Sequence, residues 1–247
     1  MSTGNLNIMI MGEIGVGKSS VVNLIAGKAI AEISPDSKPC TVNTTRHCTS
    51  AGPISVNIWE VAGFNQPKDS NVDIDLGPVL ADSTAAVDAV LFCMRAGRPT
   101  ATTTTFFKFV RTLFGEEVPI VLVMTFLERN GLESWWRQSE KCLSGMGVKG
   151  TDHVCVTGLQ EERWERERKD SQEALLNVLK GIHATSKNKS LESIFLRYLY
   201  SGLNLQEKKL KVTLMKRYNL DEPTVQRLLV NWAPPRSPSI KKPWRPW

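Results

Sequence analysis

The sequence predicts an α/β protein, a mostly parallel sheet covered by helices on both faces, and three observations predict it. Apolar runs of strand length alternate with segments of helical periodicity. The first of these runs passes directly into Gly12-Glu13-Ile14-Gly15-Val16-Gly17-Lys18-Ser19, whose G-x-x-x-x-G-K-[ST] spacing belongs to a loop between a strand and a helix. The chain has 247 residues, 41% hydrophobic and 23% charged, enough to bury the core of one such domain and carry an extension.

The elements follow in order. In residues 6–11, Leu6, Ile8 and Ile10 alternate with Asn7, Met9 and Met11 as a strand should. After the glycine-rich loop, Val21, Val22 and Ile25 fall on one helical face that ends at Gly27. Residues 28–46 are rich in Ser, Pro, Thr and Asn and read as an exposed connection carrying Cys40-Thr41, Thr44 and Thr45. Two strands, 46–50 and 54–61, flank the turn Ala51-Gly52-Pro53, and so short a connection makes them antiparallel. The second runs into Glu60-Val61-Ala62-Gly63 and a polar loop with Asn65, Gln66 and Pro67.

Residues 89–94 and 119–124 are continuous apolar runs, as expected of parallel strands buried on both faces. Between them, Phe106, Phe109, Val110, Leu113 and Phe114 predict a helix over 103–114 that stops at Gly115. A helix over 134–143, a short strand over 154–157 and a helix over 171–179 closing at Gly181 complete the series. Beyond about residue 184 the pattern turns helical, over 191–200, over 203–218 with Leu210, Leu214 and Tyr218 spaced by four, and again after Pro223. The expected division is a domain over 1–183, a helical extension over 184–232, and a proline-rich, basic, disordered tail over 233–247.

Composition narrows the partners. A net charge of +6 is modest and gathered toward the C-terminus, so no nucleic-acid partner is expected. The five cysteines show no C-x-x-C pairing and no metal-ligand rhythm with the three histidines, which predicts reduced thiols. No apolar run reaches the roughly 18 residues of a membrane span, and the N-terminus lacks a signal-peptide pattern, so the expected location is cytoplasmic. A basic helix carrying Lys208, Lys209, Lys211, Lys216 and Arg217 suits an acidic lipid surface, but Leu210, Leu214 and Tyr218 suit docking onto the domain, which is favoured.

The glycine-rich loop carries the chemistry. Glycine lets backbone approach a phosphate chain closely, and successive amides with the helix N-terminus behind them form an anion site. Lys18 adds a cation and Ser19 a hydroxyl for Mg²⁺. The glycines do not fall as G-x-G-x-x-G, which argues against a dinucleotide site. Ligands of such sheets sit at the carboxyl ends of strands, where this loop, residues 60–63 and residues 125–128 should meet. Thr41 is the first choice for a second Mg²⁺ hydroxyl, with Thr44 and Thr45 as alternatives. The pair Trp135-Trp136 reads as helix packing, and the run 163–170 as a solvated face. His47, His153 and His183 are widely separated and suggest no catalytic base.

The loop from Gly12 to Ser19, the Cys40-Thr41 pair, the strand ending in Glu60-Val61-Ala62-Gly63 and the run from Leu91 to Arg98 together resemble the G domains of translation-factor-related GTPases, and among them the septin-like, immunity-associated nucleotide-binding branch. The likeness covers about residues 5–181. It implies a three-layer P-loop G domain with a six-stranded, mostly parallel sheet. It also implies that Gly12, Glu13, Ile14, Gly15, Val16, Gly17, Lys18, Ser19 and Ser20 bind the phosphates of GTP or GDP. Ser19, Thr41 and Glu60 would serve Mg²⁺, while Lys18, Thr41 and Gly63 would act at the γ-phosphate. Thr125, Glu128 and Thr157 would lie at the base. Three features depart from the usual GTPase pattern. Glu60 stands where Asp is usual, Phe64 where other branches carry a water-activating glutamine, and Thr125-Phe126-Leu127-Glu128 replaces [NT]-K-x-D. The expectation is a GTP-binding switch or assembly protein with slow Mg²⁺-dependent hydrolysis, forming a homodimer across the nucleotide face. The alternatives are a nucleotide-binding scaffold without turnover and an ATP-specific protein.

Overall fold

The computed structural model describes residues 4–33, 43–64, 74–127, 132–199 and 207–230. Its central sheet contains β1 (Leu6–Gly12), β2 (Thr45–Ala51), β3 (Ile54–Glu60), β5 (Ala89–Arg95), β6 (Ile120–Thr125) and β7 (Asp152–Cys155). The spatial order is β2-β3-β1-β5-β6-β7, and every pairing is parallel except the β2–β3 hairpin. The six-stranded, mostly parallel sheet is therefore the one expected.

Side-chain alternation along β1 divides the core in two. Ile8 and Ile10 face α1 (Lys18–Ala26) and α5 (Glu165–Thr185), packing with Val21, Val22, Ile25, Leu175 and Leu179. Met9 and Met11 face the other way, toward a cluster that holds Phe106, Val110 and Phe114 of α3 (Ala101–Phe114) and Leu143 of α4 (Leu132–Gly145). Both faces of β5 and β6 are buried, which is why those strands read as unbroken apolar runs.

The helix expected to close at Gly181 does not close there. α5 continues to Thr185, because Ile182 extends the buried stripe of Leu175 and Leu179 by another turn. That burial outweighs the roughly 1 kcal/mol a glycine costs inside a helix. The charged run 163–170 enters this helix, with Glu165 starting it. Two further elements carry no periodic pattern long enough to announce them. One is α2 (Gly77–Ala81), and the other is a two-residue ladder between β4 (Ala86–Val87) and β8 (Lys189–Ser190).

The C-terminal helices α6 (Leu191–Arg197), α7 (Glu207–Arg217) and α8 (Glu222–Val230) share the core of the α3 face. Ile194, Phe195, Leu210, Leu214, Val225 and Leu228 are buried there together with Val79 and Leu80 of α2. Tyr198 meets Phe109 edge-on at 5.5 Å, and Phe195 meets Tyr218 edge-on at 4.7 Å. Arg227 donates to the Leu80 and Ala81 carbonyls at 2.7 and 3.3 Å and pairs with Glu192 at 3.0 Å, closing the carboxyl end of α2. The apolar face of α7 is thus docked on the domain, as its spacing favoured. Among the described residues no helix is long and apolar enough to cross a membrane, and Cys48, Cys93, Cys142 and Cys155 form no disulfide.

At the end of the sheet opposite the glycine-rich loop, the buried carboxylate of Asp88 gathers four donors. It accepts from the Asn7 N–H at 2.8 Å, the Asn7 amide at 3.3 Å, the Asn188 N–H at 2.8 Å and the Ser186 hydroxyl. It fastens β1 to the segment leaving α5. Removing such an acceptor leaves four part-buried donor contacts without a partner. We expect Asp88→Ala to lower the unfolding free energy by about 3 kcal/mol in urea titration; a loss within the ordinary surface range of about 0.5 kcal/mol would contradict this role.

Candidate functional site

The glycine-rich loop leaves β1 where there is no room for a side chain. A Cβ on Gly12 would collide with the Cys93 carbonyl oxygen. Gly15 and Gly17 take φ of 75° and 88°, a left-handed backbone that other residues adopt at a cost. α1 then begins at Lys18 with neither a side-chain cap nor an acidic residue in its first turn, an arrangement suited to an anion at the helix N-terminus. Lys18 is only 5% exposed and donates to the Glu13 carbonyl at 3.1 Å. Burial lowers its pKa, opposed by Cys93 and Glu60. Burial also pushes the Cys93 thiol up to about 12, so that thiol stays neutral at pH 7.

Glu60 ends β3 with its carboxylate 2% exposed as a residue and turned toward α1. The Ser19 hydroxyl donates to Glu60 Oε1 at 2.6 Å, and His47 Nε2 lies 3.1 Å from Oε2. The chain then runs alongside the loop. Val61 N–H donates to Ile10 O at 3.0 Å and Ile14 N–H to Phe64 O at 3.3 Å, with Glu13 bridged to Phe64 in parallel. Gly63 is held so close that a Cβ there would lie 2.7 Å from Ile14 Cγ1 and 2.8 Å from Lys18 Nζ. Phe64 turns into the core, its ring stacked on Phe106 of α3 with centroids 3.3 Å apart. The Glu13 carboxylate also points to α3, where the Thr103 hydroxyl donates to it. Phe64 thus anchors the segment after Gly63 in the core.

Thr44 is engaged elsewhere. Its hydroxyl accepts from Ala62 N–H at 3.1 Å and donates to Asp75 O at 2.5 Å, while Thr45 donates to Asn43 O at 3.3 Å. Thr41 and Glu128 lie outside the described residues.

On the other side of the loop, the Thr125 hydroxyl at the end of β6 is 2.8 Å from Val16 O and 3.2 Å from Met94 O, clamping loop and sheet together. Beyond it opens a mostly apolar cavity of about 180 Å³, lined among others by Gly17, Ser20, Leu24, Phe126, Gly158 and Leu159. Phe126 takes φ of 61° and remains 40% exposed, with the Arg95 guanidinium 4.3 Å from its ring centroid. Gly158 comes against α1, where a Cβ would sit 2.7 Å from Ser20 Cβ. Thr157 itself is fully buried. Its N–H donates to Ser171 Oγ at 3.0 Å, and its hydroxyl accepts from Leu159 N–H at 3.4 Å, so its neighbours, and not its side chain, face the cavity.

The structure thus brings together Gly12 to Ser20, Glu60, Gly63 and Thr125 at one edge of the sheet. His47 and Arg95 are additions that sequence reading missed. For His47 a signal exists in hindsight. The hairpin pairs Thr45 with Glu60 and His47 with Ile58, and side-chain alternation then puts His47 and Glu60 on one face.

Known proteins share this fold. No curated protein sequence matches the chain significantly. Among solved structures, Toc33 from Arabidopsis thaliana in complex with GDP and Mg²⁺ is similar at 17% identity and a TM-score of 0.54, covering 75% of this chain and 86% of that one. Toc33 in complex with Mg²⁺ and GMPPNP gives 18% and 0.54 over the same shares. A structure of the chloroplast translocon components atToc33 and psToc159, for which dimerization is described as important for GTPase activity, gives 18% and 0.52, covering 75% and 84%. At such identities these likenesses establish the fold alone. The sequence itself matches the AIG1 family over residues 6–211, from β1 into α7, and the chain belongs to that family.

Proposed function

We propose that this chain binds GTP and GDP with Mg²⁺ and hydrolyses GTP slowly, serving as a nucleotide-dependent switch or assembly protein in the cytoplasm. The observation that carries the proposal is the convergence on one glycine-rich loop of a buried Lys18, the Ser19–Glu60 pair and the Gly63 backbone. Together they offer a cation, a metal-binding oxygen pair and an amide around a space suited to a phosphate chain. Backbone amides of residues 13–18 and the Lys18 ammonium would hold the phosphates, and the Gly63 N–H would meet the γ-phosphate. Mg²⁺ fits the donor set, since Ser19 and Glu60 present hard oxygens side by side, and Thr41 is the further hydroxyl assigned to it. When bound, the ion offsets phosphate charge. The base would lie in the cavity beside Ser20, against Phe126 and the backbone around Thr157, with Glu128 reading guanine and Thr125 holding the wall in place.

The burial of Phe64 supports slow turnover, because its side chain cannot orient water at the γ-phosphate. The same feature favours the second reading, a nucleotide-binding scaffold without hydrolysis. By analogy with the translocon GTPases, a homodimer across the nucleotide face would complete the site.

We expect Mg²⁺-dependent binding that prefers GTP and GDP to ATP, with single-turnover phosphate release below about 10⁻² s⁻¹ and rising with protein concentration. Complete absence of release at any concentration would leave the scaffold reading, and preference for ATP would remove guanine. Lys18→Ala should weaken GTP binding at least about 100-fold, near 2.7 kcal/mol, in a chain that still melts cooperatively; unchanged affinity would refute phosphate binding by the loop. Gly63→Ala should weaken GTP more than GDP in the same titration, since the added methyl displaces the segment assigned to the γ-phosphate; an equal loss for both would contradict that assignment.

A further inference from the structure

We infer that His47 is a positioning residue for the metal, aiming the Glu60 carboxylate at the place where a Mg²⁺ ion bound beside Ser19 would sit. This rests on the proposed Mg²⁺-nucleotide site and extends it to a residue outside the loops that form it.

The geometry points to this role through the extra methylene of Glu60. A longer side chain has one more rotatable bond than aspartate, so its carboxylate samples more orientations unless both oxygens are held. Here both are held. Oε1 accepts from the Ser19 hydroxyl at 2.6 Å, and Oε2 lies 3.1 Å from His47 Nε2, which as an N–H donates to it. The two contacts come from two separate elements, Ser19 from the first turn of α1 and His47 from the edge strand β2.

The hairpin register makes the second contact a built feature. Thr45 stands opposite Glu60 and His47 opposite Ile58, so His47 and Glu60 are diagonal neighbours on the face that looks at α1. Neither side chain is loose in solvent, with 12% and 3% of their surfaces accessible. Partners of this kind behind a metal-binding carboxylate fix its plane, and their loss commonly costs about tenfold or more in metal affinity.

The test follows retention of a fluorescent GDP analogue while Mg²⁺ is titrated, in the wild-type chain and in His47→Ala, His47→Gln and His47→Phe. The half-saturating Mg²⁺ concentration should rise about tenfold in His47→Ala and His47→Phe and return toward wild type in His47→Gln, whose amide keeps an N–H donor. GDP affinity in EDTA should be alike in all four. If the half-saturating concentration is unmoved in the alanine and phenylalanine variants, or phenylalanine restores it and glutamine does not, His47 only packs and the inference fails. If His47→Ala does not fold, the comparison of glutamine with phenylalanine decides. A wild-type chain that binds GDP without regard to Mg²⁺ would overturn the metal-nucleotide reading and this role with it.

Discussion

The candidate site depends on one steric constraint, the passage of the loop backbone over the end of β5. Gly12 goes by the Cys93 carbonyl with no space for a Cβ, and only from there can residues 13–18 fold back over the sheet's carboxyl edge. The Thr125 hydroxyl then secures the arrangement from β6 by contacting both Val16 O on the loop and Met94 O on β5. Three adjacent strands therefore share one fixed point, and everything assigned to phosphate, metal or base is measured from it. A preorganised ring of amides is useful to an anion because little has to move when charge arrives.

From that point the loop is tied to the rest of the molecule by contacts that a solvent-facing glutamine would not make. Phe64 pairs with the loop through its backbone and with α3 through its ring, while Glu13 reaches the same helix through Thr103. On the far side of this segment, Thr44 joins Ala62 to Asp75, and α2 follows at once, with its carboxyl end closed by Arg227 of α8. The helical extension is thereby continuous with the segment that follows β3. The segment that follows β3 is itself firmly seated against the glycine-rich loop.

Much of this was legible in the sequence, and what was hidden has physical reasons. The loop spacing and the apolar runs of β1, β5 and β6 are local patterns, so the sheet and the edge that carries the glycine-rich loop could be read directly. That residues 60–63 would meet the loop at the carboxyl ends of the strands followed from sheet topology, while the closeness of Gly63 to Lys18 is visible only in the fold. The length of α5 was misread because a glycine at 181 looks like a stop when its stripe of buried neighbours is judged too short. The β4–β8 ladder joins residues about a hundred positions apart and is two residues long, which leaves no periodicity to detect. The Asp88 hub and the pairing of His47 with Glu60 arise from register and tertiary contact, and single residues do not advertise them. Thr157 illustrates the same limit, since its side chain faces inward, held by Ser171 and Leu159, and its single-residue identity does not announce that.

The central claim is that one edge of this sheet holds a metal–nucleotide pair between the glycine-rich loop and Glu60. A crystal structure of the chain with GDP and Mn²⁺, using the anomalous signal of manganese, tests it most directly. The account predicts an anomalous peak within coordination distance of Ser19 Oγ, phosphates against the amides of residues 13–18, and the base beside Phe126. Manganese or phosphate bound anywhere else, with the loop left empty, would contradict it.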